Sequence, residues 1–191
     1  MSIKVTFEAH STSVDNETGT ASGHHDCPLS ALGREQAREL GRRYRGCRLN
    51  GVYCSDLRRS WETAEIAFGK GPDIRRDFRL RECDYGSHAR RPSSSIRAEA
   101  PSRVREPFPG GESYDEASQR IRLVLLEIAR DHEGGHVLVV GHRATQYALE
   151  QWLNGIPLLT AITASWSWQP GWHYELEGAA SLDSPRADDR T

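Results

Sequence analysis

The run His136-Val137-Leu138-Val139-Val140 constrains the fold more than any other segment of this chain. From Val137 to Val140 no polar residue interrupts it. A strand covered on both faces needs that, and parallel strands are the ones covered on both faces. Gly134-Gly135 stands just before it and ends a long helix. Ser113-x-x-Glu116 opens that helix as a capping box, and Ala117, Ile121, Val124, Leu125 and Ile128 form its apolar face. A further helix is expected from about Thr145 to Leu153. A strand entered and left by helices implies crossover connections, so the chain reads as an α/β domain. Its expected form is three α/β/α layers around a mainly parallel sheet.

The other elements fit this plan. Ile3 to Phe7 alternates with β-branched residues and reads as a strand. Ser11 to Asp26 is too polar for core. Ser30 is an N-cap signal for a helix reaching Tyr44, with Ala37, Leu40 and Tyr44 on one face. Gly51–Cys54 reads as a short buried strand. Ser55 is expected to cap a helix carrying Leu57, Trp61, Ala64 and Phe68. Ile74 to Leu80 is a third strand candidate, and Ser87 to Pro109 reads as a loop with at most a short helix. Trp166 and Trp168, then Trp172 and Tyr174, flank Gln169-Pro170-Gly171 and suggest a hairpin. One domain over residues 1–177 is expected, with a disordered tail over 178–191.

Composition excludes several classes. Of 191 residues, 25 are Lys or Arg and 27 Asp or Glu, so the formal net charge is −2. That balance argues against a basic nucleic-acid binder and a polybasic membrane-surface protein. No stretch approaches the roughly 20 apolar residues of a membrane span. Met1-Ser2-Ile3-Lys4-Val5-Thr6-Phe7 lacks a signal-peptide core. Cys27, Cys47, Cys54 and Cys83 form no C-x-x-C pair and read as reduced thiols, with a cytoplasmic location expected.

Ligands of parallel sheets bind beyond the carboxyl ends of the strands. His10 follows the first strand and His142 the apolar one, while Glu82 follows the third candidate. Arg58 and Arg59 fall in the first turn of the helix after Gly51–Cys54. Imidazole can attack phosphorus, and guanidinium matches phosphate oxygens with forked donors.

These residues carry a resemblance. Ala9-His10-Ser11-Thr12-Ser13-Val14-Asp15-Asn16 is similar to the Arg-His-Gly-x-Thr-x-x-Asn motif of the histidine phosphatase superfamily, phosphoglycerate-mutase-like branch. Ser22-Gly23-His24-His25-Asp26-Cys27-Pro28-Leu29-Ser30 and Cys54-Ser55-Asp56-Leu57-Arg58-Arg59 resemble its next two motifs. Leu80-Arg81-Glu82-Cys83-Asp84-Tyr85-Gly86, Gly110-Gly111-Glu112-Ser113 and Val139-Val140-Gly141-His142 follow in the family's order. The resemblance implies a phosphoglycerate-mutase-like fold and a metal-independent phosphomonoesterase without cofactor. His10 would be the nucleophile, taking the phosphoryl group as phosphohistidine, and Glu82 the proton donor. Arg59 and His142 would bind phosphoryl oxygens, with Asn16, Ser22, Gly23 and Arg143 lining the substrate pocket. The implied partner is a small phosphorylated molecule, with neither nucleic acid nor membrane involved. A homodimer is compatible with it.

One position departs from the pattern: Ala9 stands where the family has arginine, with Glu8 beside it. Three consequences are open. Arg143, Arg58 or Arg81 supplies the lost cation; the substrate is not a phosphate ester; or the chain binds a ligand without turnover. A mutase is less expected than a phosphatase, because the segment between Gly86 and Pro109 is short. Other features have plainer readings: His24-His25 as surface loop, the tryptophans as strand packing, and Cys54 and Cys83 as buried small residues near each other; Asp84 is an alternative proton donor to Glu82, with the motif favouring Glu82.

Overall fold

The computed structural model describes residues 1–182. The chain runs β1 (Ile3–Ala9), α1 (Val14–Glu17), α2 (Ala31–Arg43), β2 (Gly51–Cys54), α3 (Arg58–Phe68), β3 (Ile74–Arg76), α4 (Ser93–Glu99), α5 (Tyr114–Asp131), β4 (His136–Gly141), α6 (Arg143–Asn154), α7 (Leu158–Thr163) and β5 (Trp172–Leu176), with short 3₁₀ turns between them. The sheet order is β3-β2-β4-β1-β5, parallel throughout except for β5. The apolar strand β4 is therefore central, as its composition requires.

Strand alternation sends side chains to two layers. Val52, Cys54, Leu138 and Val140 pack with Leu40 of α2 and with Ala64 and Phe68 of α3. Val5, Phe7, Val137 and Val139 pack on the opposite side with the apolar face of α5 and with Ala144, Ala148 and Leu149 of α6. Ile121 is fully buried there, so truncating it to alanine would cost about 2–5 kcal/mol. Ser113 and Ser30 cap α5 and α2 as their sequences predict. A Cβ at Gly33 would lie 2.0 Å from the Thr12 carbonyl oxygen. Only glycine therefore lets the first turn of α2 approach the loop that follows β1.

Several expectations are corrected. Ser55 does not cap α3: Leu57 is the N-cap and makes no side-chain capping bond. The third strand ends at Arg76, and Phe78–Leu80 forms a 3₁₀ turn. No hairpin forms around Pro170; only β5 is strand, and Trp166 stacks on Trp172 at 6.2 Å instead of pairing across a turn. The tail does not begin at Gly178. Ala179–Leu182 forms a 3₁₀ turn, Leu182 is wholly buried, and its carbonyl accepts from Arg122 Nε at 2.7 Å. The rest of the expected tail, 183–191, lies outside the described residues. Cys54 and Cys83 belong to the two different core layers. Burial pushes the Cys54 thiol up to about 12 and that of Cys83 higher still, so both are inert as thiolates.

Candidate active site

Two central strands deliver the two histidines. β1 and β4 pair in register up to Ala9 and Gly141, and the His10 amide continues the ladder to the Gly141 carbonyl at 3.0 Å. Each histidine is the next residue, and their ring centroids stand 5.0 Å apart. That is close to the spacing of neighbouring strands, about 4.8 Å.

Hydrogen bonding assigns the protons. His10 Nδ1 lies 2.8 Å from the Ser11 carbonyl oxygen, which can only accept, so Nδ1 carries the hydrogen. Burial, and then the nearby Arg59 guanidinium, lower the His10 pKa to about 3. The ring is neutral at pH 7 and Nε2 keeps its lone pair. His142 Nε2 lies 2.7 Å from Ser55 Oγ, which also accepts from the Leu57 amide at 3.3 Å. Among the described residues the Ser55 hydroxyl has no other acceptor, so it donates to His142 Nε2. The proton of this neutral ring is then on Nδ1. That atom is buried and has no protein partner among the described residues. Burial, with Arg59 and His10 next in effect, holds His142 well below the ordinary imidazole range.

Arg59 is 2% exposed and is held by backbone alone, donating to the Gly23 carbonyl at 2.8 Å and the His25 carbonyl at 3.0 Å. No carboxylate pairs with it among the described residues, so its charge stays available to an anion. Glu82 lies against the start of α6. Its Oε1 accepts from the amides of Cys83 and Ala144 at 2.8 and 3.0 Å, and its Oε2 from the Arg143 amide at 3.2 Å. The carboxyl is thereby fixed to the helix that begins next to His142.

The structure brings the expected residues to one cleft of about 1060 Å³, whose walls include His10, Asn16, Ser22, Gly23, Arg59, Glu82, His142 and Arg143. Some do other work there than expected. The Asn16 carboxamide oxygen accepts from the Ser13 amide and hydroxyl, both at 3.0 Å, closing the α1 cap. Ser22 Oγ contacts Cys27 Sγ at 3.3 Å, and the Gly23 carbonyl orients Arg59. The candidate replacements for the arginine absent at Ala9 separate clearly. Arg58 is tied to Glu62 at 2.8 Å and Arg81 to Asp56 at 2.6 Å. Glu62 is shared with Arg34 at 3.1 Å, and neither Arg58 nor Arg81 lines the cleft that holds the histidines. Glu8 places no free charge in the hollow, because Arg43 and Tyr44 donate to its oxygens at 2.9 and 2.7 Å. Asp84 accepts from the Gly86 amide and faces His24.

Sequence reasoning missed two supports. Ser55 was readable as a polar residue ending a buried strand, though not as the partner of His142. Arg120, on α5, donates to the carbonyls of Arg79, Arg81 and Glu82 and pairs with Glu112, so it fixes the segment bearing Glu82. Its position on a helix gave no signal. Among the described residues no group of three or more His, Cys, Asp or Glu side chains is arranged to hold a metal ion. No helix there is long and apolar enough to cross a membrane.

Such a sheet, with paired imidazoles and a guanidinium without a carboxylate partner among the described residues at one rim, defines an α/β protein with a cationic, donor-lined cleft beyond its central strands. The sequence profile of the histidine phosphatase superfamily (branch 1) matches residues 8–168, and the chain belongs to that superfamily. The probable phosphoglycerate mutase GpmB of Salmonella typhi is 33% identical over 164 residues, spanning 81% of this chain and 76% of its own. Among solved structures, Bacillus stearothermophilus YhfR superposes with a TM-score of 0.76 at 26% identity, covering 88% of each chain. A mycobacterial glucosyl-3-phosphoglycerate phosphatase in complex with VO3 shares the fold, with a TM-score of 0.75 at 24% identity over 85% of this chain and 87% of that one.

Proposed function

We propose that the protein is a phosphomonoesterase working through a phosphohistidine on His10, without a metal ion. The observation that carries this reading is the pairing of His10 and His142. Among the described residues, one neutral ring offers a lone pair and the other a buried N–H with no protein acceptor, in the same cleft as an arginine with no carboxylate partner.

His10 Nε2 attacks phosphorus and the P–O ester bond breaks. Glu82 gives its proton to the leaving oxygen, which departs as the alcohol. Water then attacks the phosphorus as Glu82 takes one of its protons, the P–N bond breaks, and inorganic phosphate leaves with His10 restored. His142 Nδ1–H and Arg59 donate to the phosphoryl oxygens as charge builds on them. Positioning and charge neutralisation supply most of the acceleration in phosphoryl transfer.

The test is phosphate release from p-nitrophenyl phosphate and a panel of sugar and nucleotide phosphates by wild type and His10→Ala. An acid-labile, base-stable phosphoryl group on wild type alone is expected. Equal negligible rates for both proteins across the panel would refute the reading. The named relatives motivate one further arm, a phosphoglycerate substrate followed for isomerisation as well as phosphate release; release without isomerisation is expected.

A further inference from the structure

Arg143 does not reach back over His142. Its side chain runs along the next turn of α6, where the guanidinium donates to Gln146 Oε1 at 2.7 Å and the Tyr147 hydroxyl at 3.2 Å. Its guanidinium carbon lies over two rings, 4.8 Å from the Tyr147 centroid and 5.0 Å from that of Trp166. Trp166 is fixed in turn: its Nε1 donates to the same Gln146 oxygen at 3.1 Å, and its other face stacks on Trp172. A long side chain is thus locked without any carboxylate among the described residues.

The surroundings leave its charge unanswered. Of the carboxylates on the cleft wall, Glu8 is paired with Arg43, Glu39 with Arg42, and Glu82 is bonded to the start of α6. Arg97 of α4 lines the same cleft, is exposed, and ion-pairs with no described residue. A preorganised guanidinium with spare N–H donors and a second cation nearby is an oxyanion receptor. It stands along α6 from the phosphoryl hollow, where the leaving group would lie.

We propose that Arg143, clamped by Trp166 and Tyr147 and supported by Arg97, binds a second oxyanion on the substrate. The substrate is then a phosphate monoester whose alcohol part carries another acid group. This rests on the phosphatase reading for its chemistry but not for its binding geometry. Trp166 is a positioning residue acting through Arg143.

The experiment compares three probes of equal chain length: propyl phosphate, its ω-carboxylate analogue and its ω-phosphate analogue. Wild type is expected to favour one or both diacids over propyl phosphate by roughly 10- to 100-fold in kcat/KM, the range of a charge-assisted hydrogen bond. The better diacid identifies the second group as carboxylate or phosphate. In Arg143→Ala that ratio is expected to collapse towards one, and in Trp166→Ala to fall with a rise in KM. Trp166→Phe, which keeps a ring over the guanidinium, is expected to restore most of it. Calorimetric binding of the same probes to His10→Ala gives an independent readout. If wild type turns over none of them, the phosphatase reading fails, yet Arg143-dependent tightening by the second acid still supports this inference. Equal treatment of mono- and diacids by wild type in both assays, or a preference that survives Arg143→Ala, would overturn it.

Discussion

Replacing Ser55 with alanine isolates the device that sets the His142 proton. The hydroxyl is fully buried and 2.7 Å from Nε2. Its loss leaves a buried ring nitrogen unpaired, which costs about 1–3 kcal/mol of stability. The catalytic effect has a floor and a ceiling. If only the tautomer bias disappears, the ring reverts to the ordinary imidazole mixture, in which Nε2–H dominates, and the loss is a few-fold. If the donor is lost altogether, the penalty approaches that of deleting an oxyanion-binding donor, about 10²- to 10³-fold. The ring also loses its only side-chain anchor on Nε2, so a fall of roughly 10- to 100-fold in kcat/KM is expected. That corresponds to about 1.4–2.7 kcal/mol of transition-state stabilisation. The assay is steady-state hydrolysis of phenyl phosphate by wild type, Ser55→Ala and Ser55→Thr, with ¹⁵N spectra of the ring. Wild type should show Nδ1 protonated, and threonine should recover most of the rate. Nε2 protonation in wild type, or a folded Ser55→Ala within twofold of wild type, would refute the assignment.

Other outcomes follow from the same geometry. Because folding lowers the His10 pKa from 6.5 to about 3, the unfolded chain binds more protons between those values. The contribution of His10 is therefore fully present above about pH 6.5 and is lost as pH falls towards 3. His10→Gln should flatten that part of the Tm–pH curve, and kcat/KM should show no loss near pH 6.5 from protonation of His10. Glu82→Gln should slow alkyl phosphate hydrolysis by about 10²- to 10⁴-fold. The loss in kcat/KM, which reports phosphoryl transfer to His10 and not the later water step, should be clearly smaller with p-nitrophenyl phosphate, whose leaving oxygen needs no proton; equal losses in kcat/KM would remove Glu82 as the acid. Ala9→Arg should tighten calorimetric binding of inorganic phosphate by roughly 10-fold through a new charge-assisted hydrogen bond. An unchanged Kd would mean that the hollow already has all the cations it can use.

How much of this could be read from the chain depended on whether the signal was local. Val137–Val140 announced a central strand because it has only one way to be buried, and Ser113 with Glu116 marked a helix start because both partners lie within one turn. His10 and His142 were legible as a pair because strand ends converge on one rim. The course of the Arg143 side chain was not, since it is decided by Trp166, twenty-three residues away in a segment with no periodicity of its own. Leu182 was hidden among small and charged residues, and its burial comes from a seat that α5 and α6 provide. Arg120 and Ser55 act on groups far along the chain, and nothing in their own neighbourhoods shows it. The missing arginine at Ala9 was plain in the sequence, whereas the placing of Arg58 and Arg81 outside the cleft required coordinates.

The in-step pairing of β1 and β4 has a consequence for how this molecule tolerates change. Because each ring is carried by the residue that follows a paired strand end, their separation is metered by the peptide ladder and not by the volume of any core side chain. Either helical layer can therefore drift in composition without resetting the gauge of the pair. Slipping one strand by a single residue would instead turn its histidine to the opposite layer and dismantle the pair at a stroke.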